Sequence, residues 1–371
     1  MITKFTKFTL SSIFAFLIFF IFAFSLPLPS HASDTIFEAK VLEIINETEI
    51  TRENGGTSLQ QDAKLIGLDG IYKDKEFTVI GIGDIDVVTS ARVSRGDKVL
   101  IQNNIDLDGN DHFVITDHVR RGYLYLLAII FAVLIILIGK KQGLKSILSL
   151  VFSFLIIMYW IIPQIAHGGN PLLVSVIGAI AILASIIYLT WGFTRKANIA
   201  SISILISLLL TGLISIIFTN LTKLSGLADD SILYLVGIPG VNINFQGLLL
   251  AAIIIGTLGV LDDVVISQIS TIEQLKKANP NLSKKELYKK GIKVGVDHIS
   301  SMTNTLFLAY AGASLPLLLL FAVQTDVGFL SVINNEMIAT EIVRTLTGSI
   351  GLILAVPIAT VLSTHYLITK K

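Results

Sequence analysis

Two carboxylates stand side by side, Asp262 and Asp263, in an otherwise apolar segment: Gly256-Thr-Leu-Gly-Val-Leu-Asp-Asp-Val-Val-Ile-Ser267. An ionised Asp at the centre of a bilayer costs at least about 2.5–3.5 kcal/mol, and less when it lies near the surface. Such groups are therefore expected between helices rather than against lipid. On a helix, Gly256, Gly259, Asp263 and Ser267 fall on one face, and the two glycines let a neighbour come close. Asp262 is turned by about 100° from that face. A second polar set follows at Asp297, Ser301 and Asn304, spaced i, i+4 and i+7, and Ser300, Thr303 and Thr305 add hydroxyls around it. Asp262/Asp263 and Ser301/Asn304 are expected about five residues inside the same boundary, roughly 6–8 Å deep at 1.5 Å per residue. Adjacent antiparallel helices would bring them together.

Three chemistries fit that expectation. Carboxylates with amide and hydroxyl oxygens can bind a cation or take up a proton. The same groups can cap one another and only lock helix packing. Catalysis is the third, and no His-rich or Ser/His/Asp grouping supports it. His298 reads as an interfacial histidine, since no metal-ligand spacing surrounds it. Glu341 and Arg344 form an i,i+3 pair: Arg344 is read as a helix anchor or as the outer end of a pathway. No metal and no cofactor is expected.

The elements that must hold these residues are long and apolar. The chain has 371 residues, of which 53% are hydrophobic and 15% charged, against about 25% charged in soluble domains. Runs at 122–139, 144–162, 172–191, 199–219, 246–267, 301–323 and 342–367 each approach the roughly 20 residues that cross a bilayer. Pro239 and nearby glycines break 231–244 into a re-entrant or surface segment. The motif Ser283-Lys-Lys-Glu286 reads as a helix start, opening a surface helix to about residue 296.

Before the runs, residues 34–120 have another texture. Short strand-like stretches at 37–45, 63–68, 77–82, 98–102 and 112–116 are separated by turn signals such as Gly55-Gly56 and Asp69-Gly70. They predict a small β-barrel or sandwich, OB-like in its strand count. Asp106-x-Asp108-x-Asn110 faintly resembles a calcium loop, but Asp111 stands where such a loop needs Gly, so a hairpin turn is the reading. Lys4 and Lys7 precede an apolar run at 8–26 with Pro27 and Pro29 after it. Residues 1–33 are thus a signal peptide or an anchor helix, and either exports residue 34 onward.

Charge sets the expected orientation. Lys140, Lys141, Arg195, Lys196 and the lysines from Lys276 to Lys293 fall in alternate loops, while Asp229, Asp326 and Glu336 fall in the others. Arg120 and Arg121 are exceptions. The net charge of +1 and the lack of an aromatic-lined basic patch argue against nucleic acid. Cys is absent, which excludes disulfides and thiol chemistry.

The segments 256–267, 297–320 and 341–357, above all Met302-Thr-Asn-Thr-Leu306 followed by Ala309-Tyr310, resemble the YibE/F family of bacterial multipass membrane proteins. The resemblance covers about residues 120–367. It implies a helical membrane bundle and favours Asp263, Asp297, Asn304 and Arg344. The family pattern has one Asp and one Ser, matching Asp263 and Ser267, so Asp262 is a departure. The family brings no settled activity, and a permease is its customary expectation. The combined expectation is an all-α polytopic bundle of seven spans (121–371) with a signal or anchor helix and a small exported β-barrel-like domain. It would sit in the bacterial cell membrane and move an ion or small solute. The alternative is an envelope binding or assembly protein whose β domain engages a protein partner.

Overall fold

A computed structural model describes residues 36–51, 57–82, 92–105, 111–228, 230–238, 243–323 and 328–366. The signal or anchor segment, the residues 106–110 and Pro239 lie outside them. By its contacts the chain divides into two units, Met1–Lys140 and Lys141–Lys371.

The first unit is built on five strands: β1 (Ile36–Thr51), β2 (Thr57–Gly67), β3 (Glu76–Ile82), β4 (Lys98–Ile105) and β5 (Asp111–His118). Each expected strand run falls on one of them. All pairings are antiparallel, in the order β3-β2-β1-β4-β5. Side chains alternate across a strand, so Phe37, Ala39 and Val41 of β1 meet Ala63 and Leu65 of β2 and Val99 and Ile101 of β4 in one core. Among the described residues the sheet has no ladder between β3 and β5. It curls enough for Phe77 of β3 and Phe113 of β5 to come within 4.5 Å, centroid to centroid. Gln61 completes the core: its amide exchanges hydrogen bonds with the backbone of Val93, at 2.9 Å and 3.2 Å. Gly67 is required where the turn Gly70–Tyr72 crosses β2, because a Cβ there would lie 2.0 Å from the Tyr72 carbonyl oxygen.

The two exceptional arginines are accounted for here. Arg121 opens α1 (Arg121–Ile156) and grips the nearly buried Glu38 of β1 with both guanidinium nitrogens, one at 2.9 Å. Arg120 pairs with Asp117. The His118 backbone N–H, and then Arg120, hold the Asp117 carboxyl below the usual carboxylate range. Both cations are neutralised by the sheet beside them.

α1 leads through a π-turn (Ile157–Ile161) into α2 (Ile162–Ala166). These form one helical run of 46 residues, in which Lys140 has non-helical angles, φ 51° and ψ −127°. There follow α3 (Pro171–Trp191), α4 (Arg195–Leu221), the short α5 (Asp230–Val236), α6 (Phe245–Ala278), α7 (Lys284–Ala313), α8 (Leu315–Val323), α9 (Phe329–Asn334) and α10 (Glu336–Tyr366). Caps explain the starts. Asn170, Thr194 and Asn244 accept from the first backbone N–H groups of α3, α4 and α6, and Ser283 with Glu286 makes a full capping box for α7.

Five helices are long and apolar enough to cross a membrane, or six with α7 and α8 taken together. The runs at 122–139 and 144–162 fall on either side of the kink at Lys140. Two other sequence expectations are corrected. The surface helix from Ser283 does not end near 296: no helix breaker intervenes, and α7 continues to Ala313. The run at 301–323 is not one straight span, because the chain bends by 63° around Ser314, just before Pro316.

The core of the second unit is where α4, α6 and α10 meet. On α4, Ser203, Ser207, Thr211 and Ser215 recur every four residues and are buried. Each hydroxyl donates to the carbonyl four residues back, at 2.7–2.9 Å, so no polar hydrogen is stranded. What remains is a thin helix face that admits α10 closely. Gly351 of α10 sits on Thr211 so tightly that a Cβ would lie 1.9 Å from the hydroxyl oxygen. Gly351→Val should therefore lower stability by about 1–3 kcal/mol through overpacking, measured by thermal unfolding in detergent. Gly312→Ala, in open space on α7, should not.

Candidate functional site

The polar residues of α6 and α7 must be placed against the packing faces of those helices. On α6 the buried face is formed by Thr257, Leu258, Leu261, Val264, Val265 and Gln268. Gly256, Gly259 and Asp263 lie on the opposite face and are exposed, with Ser267 half-buried beside them. On α7 the packed positions are Leu287, Gly291, Gly295 and Leu306, and Asp297, Ser301 and Asn304 project away from them, all exposed. Among the described residues, the side chains of Asp263, Asp297, Ser301 and Asn304 have no hydrogen bond and no ion pair.

The two sets share a depth. α6 and α7 run antiparallel, tied at one level by Gln268, whose amide donates to the Gly291 carbonyl at 2.9 Å. They are tied again where a Cβ on Gly256 would lie 3.2 Å from the Tyr310 hydroxyl. Counting from these anchors puts Asp263 level with the turn Asp297–Ser301, with Asn304 one turn beyond. The structure thus brings Asp263, Ser267, Asp297, Ser301 and Asn304 to one stretch of the α6–α7 hairpin without joining their side chains.

Asp262 and Arg344 stand elsewhere. Asp262 is half-buried on the flank of α6, and its Oδ1 is enclosed without a donor. Arg344 of α10 donates to Glu341 at 2.7 Å, both about a quarter exposed. α10 runs parallel to α6, with Gly348 against Thr257 and Thr360 against Gln268. Arg344 is therefore about ten residues, roughly 15 Å, along the bundle from Asp263. Between these levels lies Tyr310. It approaches Gly256 on one side and on the other lines a mainly apolar cavity of about 280 Å³, walled by Phe307, Leu318, Ile338 and Ile342 together with Ser314 and Glu341.

Sequence reasoning missed Gln268. It is fully buried, and its amide donates to the Gly291 carbonyl and, at 2.8 Å, to the Thr360 hydroxyl, pinning α6, α7 and α10 together. The signal was present: a lone amide one turn past the acidic pair, on the apolar face. It also missed the four-residue hydroxyl repeat of α4. No group of three or more metal-type ligands occurs among the described residues.

Long apolar helices, five of them able to cross a membrane by length and composition, define a helical membrane protein as the class. Residues 127–369 match the family model described as YibE/F-like protein, and the chain belongs to that family. No curated protein and no solved structure matches the chain.

Gln268→Leu should remove the two hydrogen bonds that tie α6 to α7 and α10 and cost about 1–3 kcal/mol, read as a lower melting temperature. Ser267→Ala, on the opposite face, should leave melting unchanged.

Proposed function

We propose that this protein is a permease for a small ion or solute, and that its path follows the polar run along α6 and α7. The observation that carries the reading is the unsatisfied lane itself. Asp263, Asp297, Ser301 and Asn304 lie along about two turns of the α6–α7 hairpin, exposed and without protein partners among the described residues. Ionisable groups inside a membrane almost always face a protein interior or a water-filled cavity. Here the protein's centre is filled by α4, α6 and α10, so water and a permeant are the natural partners on the α6–α7 side. Toward the other end Tyr310 and Glu341 border a mainly apolar cavity, and Arg344 nearby supplies a charge of opposite sign. Asp262, enclosed beside Asp263, tunes the charge of the lane.

The reading includes a topology. A helical run of 46 residues would be about 69 Å long if unbroken, more than twice the hydrocarbon thickness. The break at Lys140 makes it two crossings, and α7 with α8 makes one broken crossing, which gives seven. The lysines from Lys276 to Lys293 then face the cytoplasm. The five-stranded unit, a barrel-like module with its edge strands drawn together, is exported behind the segment 1–33. Neutralisation of Arg120 and Arg121 by Asp117 and Glu38 supports this side for it, since paired cations weigh less in the orientation rule. A partner-binding role of that module is the second reading, favoured by no particular observation on its surface.

Purified protein in proteoliposomes tests the permease. Asp263→Asn and Asp297→Asn, each with unchanged melting, should reduce flux of the transported ion at least tenfold. Wild-type flux in both variants would remove the lane from the path.

A further inference from the structure

The cavity between α7 and α10 is graded along its length. The two helices run antiparallel, with Gly291 beside Thr360 and Gly348 beside Leu306. Phe307 and Leu346 therefore form one end of the cavity, and Ser314, Ile338 and Glu341 the other, about 12 Å away at 1.5 Å per residue. The first end is apolar and the second carries charge. Glu341 accepts from Arg344 at 2.7 Å, and this guanidinium, which has further N–H donors, meets no other acceptor among the described residues. Glu341 takes no other donor from them. Both side chains remain about a quarter exposed. The apolar run of α10 begins at Ile342. The charged end thus lies at the boundary where lipid headgroups sit, and the apolar end lies deeper in the bilayer.

We propose that this cavity binds a phospholipid whose headgroup carries a primary ammonium, of the phosphoethanolamine kind. One acyl chain fills the apolar end, the ammonium meets Glu341 and the phosphate meets Arg344. An acyl chain gains little by leaving other acyl chains, so the apolar wall gives fit but no choice among lipids. The choice comes from the charged pair. A phosphoethanolamine head is a dipole, and beside Glu341 and Arg344 it lies with its charges reversed, each ion against one of opposite sign. Charge-assisted hydrogen bonds of this kind are stronger than neutral ones, and a guanidinium fork matches phosphate. An anionic head without an amine would satisfy Arg344 and leave Glu341 unanswered. A quaternary ammonium has no N–H to give Glu341. The lipid is held by the site rather than carried, so the inference does not depend on the permease reading.

The full chain, purified and depleted of lipid, is offered phosphatidylethanolamine, phosphatidylcholine and phosphatidylglycerol with identical acyl chains. Bound lipid is counted by native mass spectrometry. The wild type should retain phosphatidylethanolamine about tenfold over either of the others, the factor that one hydrogen bond to a charged group supplies. Glu341→Gln and Arg344→Gln should each bring the three lipids close to equal. Ala311→Trp, which fills the cavity and leaves the charged pair in place, should abolish the preference as well. Leu209→Trp, on the exposed side of α4, should keep it. Equal retention of the three lipids by the wild type overturns the inference, and that comparison needs no variant to fold. So does a preference for phosphatidylglycerol, which would reduce the site to Arg344 alone. A phosphatidylethanolamine preference that survives in Glu341→Gln, Arg344→Gln and Ala311→Trp places the lipid elsewhere and overturns it too.

Discussion

The contact between Thr211 and Gly351 is the constraint on which the rest of the helical unit depends. A hydroxyl that gives its proton to its own helix has no need of a partner, and a glycine opposite it has no side chain to displace. α4 and α10 can then approach so closely that nothing fits between them. α6 completes the arrangement through Thr257 against Gly348, and Gln268 fastens α7 to it by two hydrogen bonds. Hydrophobic burial does not draw helices together inside lipid, where tails are as apolar as side chains, so close packing and internal hydrogen bonds must do so.

That constraint decides where polar chemistry can occur. A bundle whose centre is filled with Ser, Thr, Gly and branched aliphatic side chains has no central pathway. The carboxylates are displaced to the far face of α6 and the far face of α7. Tyr310 lies between the glycine face of α6 and the mainly apolar cavity beside Glu341. The permease proposed above would therefore work at the edge of this bundle.

Helix existence and strand existence were legible in the sequence. Apolar runs of about 20 residues have few alternatives, and the alternation Phe37, Ala39, Val41 has a period that only a strand explains. The shared face of Gly256, Gly259, Asp263 and Ser267 was also legible, because helical spacing alone fixes it. Which way that face points was not. The sequence suggested that a glycine face is a packed face, yet the packed glycines are Gly291, Gly295, Gly348 and Gly351, whereas Gly259 meets nothing. Spacing shows which residues share a side of a helix and is silent on which side a neighbour occupies. The continuity of α7 past residue 296 was hidden for a related reason: a change from charged to apolar composition marks a change of surroundings, not a break in the backbone. The bend at Ser314 was signalled by Pro316, within a run whose apolarity concealed it.

Water accessibility along α6 tests the central claim most directly. Single cysteines at Asp263 and Asn304 on the lane, and at Thr211 and Thr257 in the packed centre, can be challenged in intact membranes with a charged, membrane-impermeant thiol reagent. The account predicts rapid labelling at Asp263→Cys and Asn304→Cys and protection at Thr211→Cys and Thr257→Cys. Labelling of the central pair with protection of the lane would place the aqueous path through the bundle's middle and contradict it.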